Sequence, residues 1–115
     1  MNSLSKKLAA KMLEREITAL EVVFDRMQDF MPHRGRATWL IPVEYTLCPK
    51  YTPLHQVRNS VNRLRARAQI IANLYPQLSM YVEAELWVLD AIDGAVALLL
   101  NNARETMSVS EFLLT

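Results

Sequence analysis

Residues 77–105 read QLSMYVEAELWVLDAIDGAVALLLNNARE, and this stretch decides the fold because it is apolar around most of a helical circumference. Two rows of apolar side chains follow the helical repeat along it. One row is Leu78, Val82, Leu89, Ile92, Val96 and Leu99, and the other is Tyr81, Ala84, Val88, Ala91, Ala95 and Leu98. A helix that is apolar on two sides belongs at the centre of a bundle or shares one side with another chain. The pattern predicts a central helix over about 77–105.

Two further stretches have helical periodicity with one apolar side each. The stretch at about 4–30 alternates spacings of four and three between apolar residues, which keeps one side facing a neighbour. Its apolar row is Leu13, Ile17, Leu20, Phe24, Met27 and Met31. The stretch at about 53–75 begins with a Thr52 cap and Pro53 and stops at Pro76. We therefore expect a mainly α bundle of three long helices.

Residues 37–47 follow a different repeat. Apolar residues alternate with other residues at a period of two, which is typical of an extended strand. The apolar members are Trp39, Ile41, Val43, Tyr45 and Leu47. Pro42 restricts such a strand to a sheet edge or a bulge. Its partner is residues 107–114, the same segment of a second subunit, or none, in which case it lies across the helices as an extended arm.

The C-terminal residues fit two structures. Ser108 and Glu111 have the spacing of a capping box, which predicts one short final helix ahead of the apolar residues that follow. A strand over 107–114 that pairs with 37–47 is the competing interpretation. The sequence leaves both open.

The composition is that of one globular domain spanning residues 1–115. Hydrophobic residues make up 51% and charged residues 22%, which argues against disorder. The single cysteine, Cys48, cannot form an internal disulfide, and this favours a reducing compartment. No targeting segment is apparent, and the longest apolar stretch contains Asp90 and Asp93 and is too short to span a membrane. We expect a cytoplasmic protein.

Charge is unevenly distributed along the chain. Residues 30–82 hold seven basic residues and one acidic residue, whereas residues 83–115 hold one basic and six acidic residues. The two parts either neutralise each other within the fold or a dimer, or the basic part meets an acidic partner.

The second predicted helix carries four arginines, Arg58, Arg63, Arg65 and Arg67. They flank its apolar row on both sides, while the side opposite the row is uncharged. Arginines in such positions are typical of the charged border of a helix interface. We therefore expect the first two helices to pack together, with the arginines paired to acids of the first helix. The matching acids are Glu14, Glu16 and Glu21.

One acid falls on the apolar side of the central helix. Glu85 lies opposite the polar strip that contains Glu83, so it is expected to be buried. A buried carboxylate without a partner is costly. We therefore predict a bidentate contact with one arginine of the second helix or a bond to another subunit. The candidate arginines are Arg63, Arg65 and Arg67.

The residues that could support catalysis are few. Two histidines and one cysteine provide no usual zinc or di-iron ligand set, and no glycine-rich phosphate loop is present. No nucleophile is placed beside a base by the sequence. We expect no enzyme activity, no metal and no cofactor.

These patterns favour a non-enzymatic helical interaction module, namely an adaptor, assembly subunit or inhibitor that docks onto another protein. The expected partner-binding residues are Trp39, Ile41, Val43 and Tyr45, which would add a strand to a partner's sheet. The excess apolar surface of the central helix predicts a homo-oligomer. The alternative is a nucleic-acid-binding or nucleoprotein-complex subunit in which Arg34, Arg36 and the arginines of the second helix contact phosphates.

Overall fold

The computed structural model describes residues 3–29 and 50–114. They form α1 (Ser3–Asp29), α2 (Leu54–Leu74), a short 3-10 helix (Pro76–Leu78), α3 (Ser79–Leu100) and α4 (Val109–Leu114). The prediction of a mainly α fold with three long helices is confirmed, and no strand occurs within these two ranges. The predicted extended segment at 37–47 lies outside the described residues.

α3 is shorter than the sequence predicted, because it ends at Leu100 rather than near residue 105. Beyond it the chain turns, and the N–H groups of Asn102 and Ala103 donate to the Leu99 carbonyl at 3.1 and 2.9 Å. Consecutive asparagines at 101 and 102 favour this end, since asparagine has low helix propensity. Within the described ranges, no helix is both long enough and apolar enough to cross a membrane.

α2 starts and stops at prolines. Pro53 occupies the cap position before Leu54 and no side chain caps the helix, so the predicted Thr52 cap is wrong. The predicted stop at Pro76 is confirmed, since α2 ends at Leu74 and the 3-10 helix begins at this proline. Proline interrupts a helix because it lacks an N–H and its ring crowds the preceding turn.

The residues after α3 take over the role expected of Thr52. The N–H of Leu54 donates to the Met107 carbonyl and the N–H of His55 to the Glu105 carbonyl, both at 2.9 Å. The Nδ1 atom of His55 also lies 3.0 Å from the Glu105 oxygen. These bonds satisfy N–H groups that a helix start leaves unpaired. They also hold the loop after α3 against the start of α2.

α3 is the central element of the fold. It packs against both α1 and α2, whereas α1 and α2 make few backbone contacts with each other. The expectation that the first two helices pack together is met only in that their buried side chains share one core, since the closer backbone packing of each is with α3. The fully buried side chains come from every helix and include Leu13, Leu20, Phe24, Met27, Leu54, Leu64, Ile71, Leu89, Ile92 and Phe112. The first predicted apolar row of α3 lies in this core.

The C-terminal residues form a helix rather than a strand. The N–H of Glu111 donates to the Ser108 hydroxyl at 3.4 Å, and that hydroxyl lies 3.5 Å from Oε1 of Glu111. The first contact is the Ser108 half of the predicted capping box, and the second joins the two side chains directly. α4 then buries Phe112 against the core, and the Lys6 ammonium of α1 lies 5.4 Å from the centre of its ring. α4 thereby covers the end of the bundle where α1 begins.

Candidate functional site

The predicted partner-binding residues Trp39, Ile41, Val43 and Tyr45 lie outside the described residues, as do Arg34 and Arg36 of the nucleic-acid alternative. Both assignments remain predictions. The described residues contribute two exposed helix faces and two charged groups between helices, and these are the candidate sites.

The outward side of α3 exposes large apolar side chains. Trp87 is 81% exposed and Met80 is 73% exposed, and Leu98 is exposed further along the same side. The small residues Ala84 and Ala91 lie between them and are also exposed. We call these five residues the α3 face. Large exposed apolar surface on a well-packed helix is typical of an interaction site.

A shallow groove runs along the α3 face beside the Trp87 ring. Its volume is about 490 Å³. The groove is lined by Met80, Glu83, Ala84, Trp87 and Val88. An apolar groove with one charged residue at its border has the character of a docking site for an apolar side chain or an amphipathic helix.

The residues of the second apolar row predicted on α3 differ in how far they are buried. Ala95 is buried, Tyr81 and Val88 are half-buried, and Ala84, Ala91 and Leu98 are exposed. Neither Met80 nor Trp87 belongs to that predicted row, although both are more exposed than Leu98. The signal was in the sequence, since residues 80, 84, 87, 91 and 98 share one side of a helix.

The outward side of α1 combines apolar and basic side chains. Leu4, Leu8 and Met12 are exposed, and Lys11 and Arg15 are exposed beside them. We call these five residues the α1 face. A groove of about 490 Å³ lies on it. The groove is lined by Leu8, Lys11, Met12, Glu14, Arg15 and Thr18.

Arg65 of α2 bridges two aspartates of α3. Its Nη2 atom lies 2.6 Å from Oδ1 of Asp90 and 2.5 Å from Oδ2 of Asp93. The two aspartates are three residues apart and therefore share one side of the helix. The Nε atom of Arg65 is buried and has no hydrogen-bond partner among the described residues. One guanidinium thus links α2 to α3 and offsets one of the two negative charges.

This cluster corrects the pairing that the sequence predicted for the arginines of α2. Within the described residues, no ion pair joins them to Glu14, Glu16 or Glu21, since α2 makes most of its contacts with α3. Arg63 and Arg67 have interacting groups of their own. The Arg65 charge is committed to α3.

The position of the cluster follows from the turn between α2 and α3. The two helices are joined by a short turn at Pro76–Leu78, so residues at similar distances from this turn face each other. Arg65 and Asp90 lie at nearly equal distances from it. This spacing is the signal that identifies α3, and not α1, as the source of the acids.

A polar groove of about 400 Å³ lies beside this cluster, between α2 and α3. It is lined by Arg58, Asn62, Asp93, Ala97, Leu100 and Asn101. Arg58 is exposed and takes part in no ion pair among the described residues. The groove offers hydrogen-bond donors to a polar ligand, although the Asp93 carboxylate on the same wall opposes an anion.

Glu85 is a buried carboxyl inside the bundle. Its side chain is 1% exposed. Burial raises the pKa of its carboxyl from 4.5 to about 8, because desolvation penalises the ionised form. The positive charge of Arg67 on α2 lowers this pKa and offsets part of the burial effect. The Oε2 atom has no hydrogen-bond partner among the described residues. At neutral pH the carboxyl is therefore mostly protonated.

The predicted burial of Glu85 is confirmed, but the predicted bidentate contact is wrong for the described residues. Arg65 is held by the two aspartates, and the positive charge of Arg67 acts on Glu85. A buried carboxyl that lacks a paired cation lowers its cost by binding a proton. The bond to another subunit remains a prediction.

The described residues contain no group of three histidine, cysteine, aspartate or glutamate side chains placed to hold a metal ion. No family model, curated protein or solved structure matches this chain. Its function is therefore argued from its own surface and charges.

Proposed function

We propose that this chain is a non-enzymatic helical interaction module, an adaptor, assembly subunit or inhibitor, that docks onto another protein through the α3 face. The observation that carries the proposal is the 81% exposure of Trp87 on a helix whose opposite side is fixed in the core. Tryptophan is enriched among the residues that contribute most to binding at protein interfaces. On a rigid helix it loses little conformational freedom when a partner covers it.

The partner that fits this face is an amphipathic helix with basic residues along its border. The groove beside Trp87 is apolar, and Glu83 at its border takes part in no ion pair among the described residues. Asp90 is 72% exposed even though it pairs with Arg65. These two acids favour a partner with cations at matching positions and oppose one with acids there.

A second contact segment and a cytoplasmic location, both expected from the sequence, complete the proposed function. Residues 37–47, with Trp39, Ile41, Val43 and Tyr45, provide a second contact that adds a strand to a partner's sheet. The chain works in the cytoplasm, because its single cysteine cannot form an internal disulfide.

A docking function is also compatible with the strongly perturbed carboxyl of Glu85. The raised pKa of Glu85 would interest an enzymologist, since such groups are common in active sites. A catalytic carboxyl must reach its substrate, however, and Glu85 is enclosed between helices at 1% exposure. Glu85 lies where no substrate can reach it, whereas the α3 face is open to another molecule.

Site-specific photo-crosslinking tests the proposal. A photoreactive phenylalanine derivative replaces Trp87 in one version of the chain and the exposed Gln69 of α2 in a matched control. We expect polypeptide adducts, identified by mass spectrometry, at position 87 and not at position 69. The substitution Glu83→Lys should reduce them. Equal adducts at the two positions, or none at position 87, would contradict docking through the α3 face.

Nucleic-acid binding is the second candidate function, and the exposed Arg58 beside a polar groove favours it. The neutralisation of Arg65 by two aspartates weakens it. It predicts retardation of DNA or RNA at low salt that weakens steeply as salt rises. Loss of this binding in the variant Arg58→Gln, with Gln69→Ala as control, would support it. An absence of retardation for duplex and single strands alike would exclude it.

A further inference from the structure

We infer that the occupant of the α3 face is the α1 face of a second copy of this chain. The inference rests on the proposed function, because it uses the same docking surface and names its partner. The α3 face fits an amphipathic helix with a basic border, and α1 of the same chain exposes a face of this kind.

The α1 face has the required apolar content. Leu8 is 55% exposed, and Leu4 and Met12 lie one helical turn to either side of it. These three side chains span roughly 12 Å along the helix, at 1.5 Å per residue. The part of the α3 face from Met80 to Ala91 spans roughly 17 Å by the same measure. One apolar row therefore fits along the other.

The border charges of the two faces are opposite in sign. Lys11 and Arg15 lie beside the apolar residues of α1, and Glu83 and Asp90 lie beside those of α3. Glu14 reduces the positive charge at one edge of the α1 groove, yet the outward side of the helix remains basic. Two α3 faces brought together would instead place acids near acids. Charge therefore favours a contact between the α1 face of one copy and the α3 face of another over a contact between two α3 faces.

The two faces do not cover each other within one chain, since both are exposed there. A contact between different faces is heterologous, so each copy presents one face to a copy on either side. Such copies form a closed pair or ring if the rotation between successive copies closes on itself, and an open chain of copies if it does not. This property allows a test in which each partner retains only one working face.

Two variants separate the faces. Leu8→Glu places an acid in the α1 face and leaves α3 intact, while Trp87→Lys places a base in the α3 face and leaves α1 intact. Both positions are exposed, so the core is unchanged, and circular dichroism verifies the helix content. Asn59→Glu and Gln69→Lys on the exposed side of α2 make the same charge changes away from both faces. Light scattering measures the mass of each protein, and of equimolar mixtures, over a concentration series.

We expect wild type and both α2 controls to exceed the monomer mass as concentration rises, and each face variant alone to remain monomeric. The equimolar mixture of the two face variants should recover a dimer, because it pairs an intact α1 face with an intact α3 face. Self-association of either face variant alone would overturn the inference. So would a monomeric wild type, including one whose α1 face instead binds vesicles of anionic phospholipid in a Leu8-dependent way.

The outcomes also separate this inference from the proposed function. If wild type is monomeric but crosslinking at position 87 yields a different polypeptide, the second copy is wrong and docking through the α3 face stands. If wild type is monomeric and position 87 yields no adduct, both fail.

Discussion

Glu85 and the pair Asp90–Asp93 lie on the same helix but in opposite electrostatic situations. The aspartates lie at the border between α2 and α3, where the guanidinium of Arg65 reaches both carboxylates. Glu85 lies in the interior, with an oxygen that has no hydrogen-bond partner among the described residues. The two border acids share one cation, whereas the interior acid is neutralised by a proton.

Whether a cation can reach an acid while staying partly solvated decides between pairing with that cation and binding a proton. Arginine at a helix border can keep its head partly solvated while its stem packs on apolar surface. Pairing Glu85 directly would require a second ion to leave water, at a cost that the attraction between the two charges often fails to recover. The positive charge of Arg67 lowers the pKa of the Glu85 carboxyl without cancelling the effect of burial.

The largest expected effect comes from removing the interior charge with Glu85→Gln. The carboxyl is protonated in the folded and unfolded states below pH 4.5. Between pH 4.5 and about 8 it ionises only when the chain unfolds, so wild-type stability falls as pH rises through this window. At pH 8 the variant should be more stable by roughly 3–5 kcal/mol, and at pH 5 by about 1 kcal/mol or less. Urea unfolding at the two pH values measures this.

Glu83→Gln is the matched control for that experiment. Glu83 lies two residues away on the same helix and is exposed. Its neutralisation should shift stability by less than about 0.5 kcal/mol, equally at pH 5 and pH 8. A difference between wild type and Glu85→Gln that does not change with pH would show that the folded state holds Glu85 ionised throughout.

The next effect comes from breaking the border cluster with Arg65→Met. Methionine keeps much of the packing of the arginine stem but leaves two carboxylates close together without their cation. We expect a loss of about 1 kcal/mol, since the cluster is partly solvated and such pairs are weak. Arg58→Met, at an exposed arginine without an ion pair among the described residues, should cost less than half as much. Thermal unfolding at low salt compares the two, and equal losses would mean that the cluster stabilises nothing.

Much of the fold was predictable because it follows from local patterns. The apolar rows defined the three long helices, Pro76 ended α2, and the spacing of Ser108 and Glu111 predicted the cap of α4 as one of two open alternatives. The cap of α2 was not predictable in this way, because it depends on backbone bonds between distant segments, such as Leu54 to Met107, that leave no periodic signal. The end of α3 differs from the prediction because asparagines at 101 and 102 weaken the helix without changing the apolar repeat.

The candidate site was less predictable than the fold for a related reason. Periodicity identified α3 as apolar on two sides, but it did not show which residues the neighbours cover. Met80 and Trp87 became recognisable as a surface only when α1 and α2 were seen to occupy the other side of α3. The partner of Arg65 was missed because the sequence suggested that α1 packs against α2.

The smallest expected effect is a difference between the two aspartates of the border cluster in how much each contributes to stability. The more buried aspartate should contribute more. The Asp93 side chain is 35% exposed and the Asp90 side chain 72% exposed, although both pair with the same nitrogen of Arg65. Solvent screens the Asp90 pair more strongly, so Asp93→Asn should cost about 0.5–1 kcal/mol and Asp90→Asn about 0.3 kcal/mol or less. Urea unfolding midpoints at low salt resolve the difference, and added salt should bring the two variants closer to wild type. A larger loss for Asp90→Asn would show that geometry, and not exposure, sets the strength of these pairs.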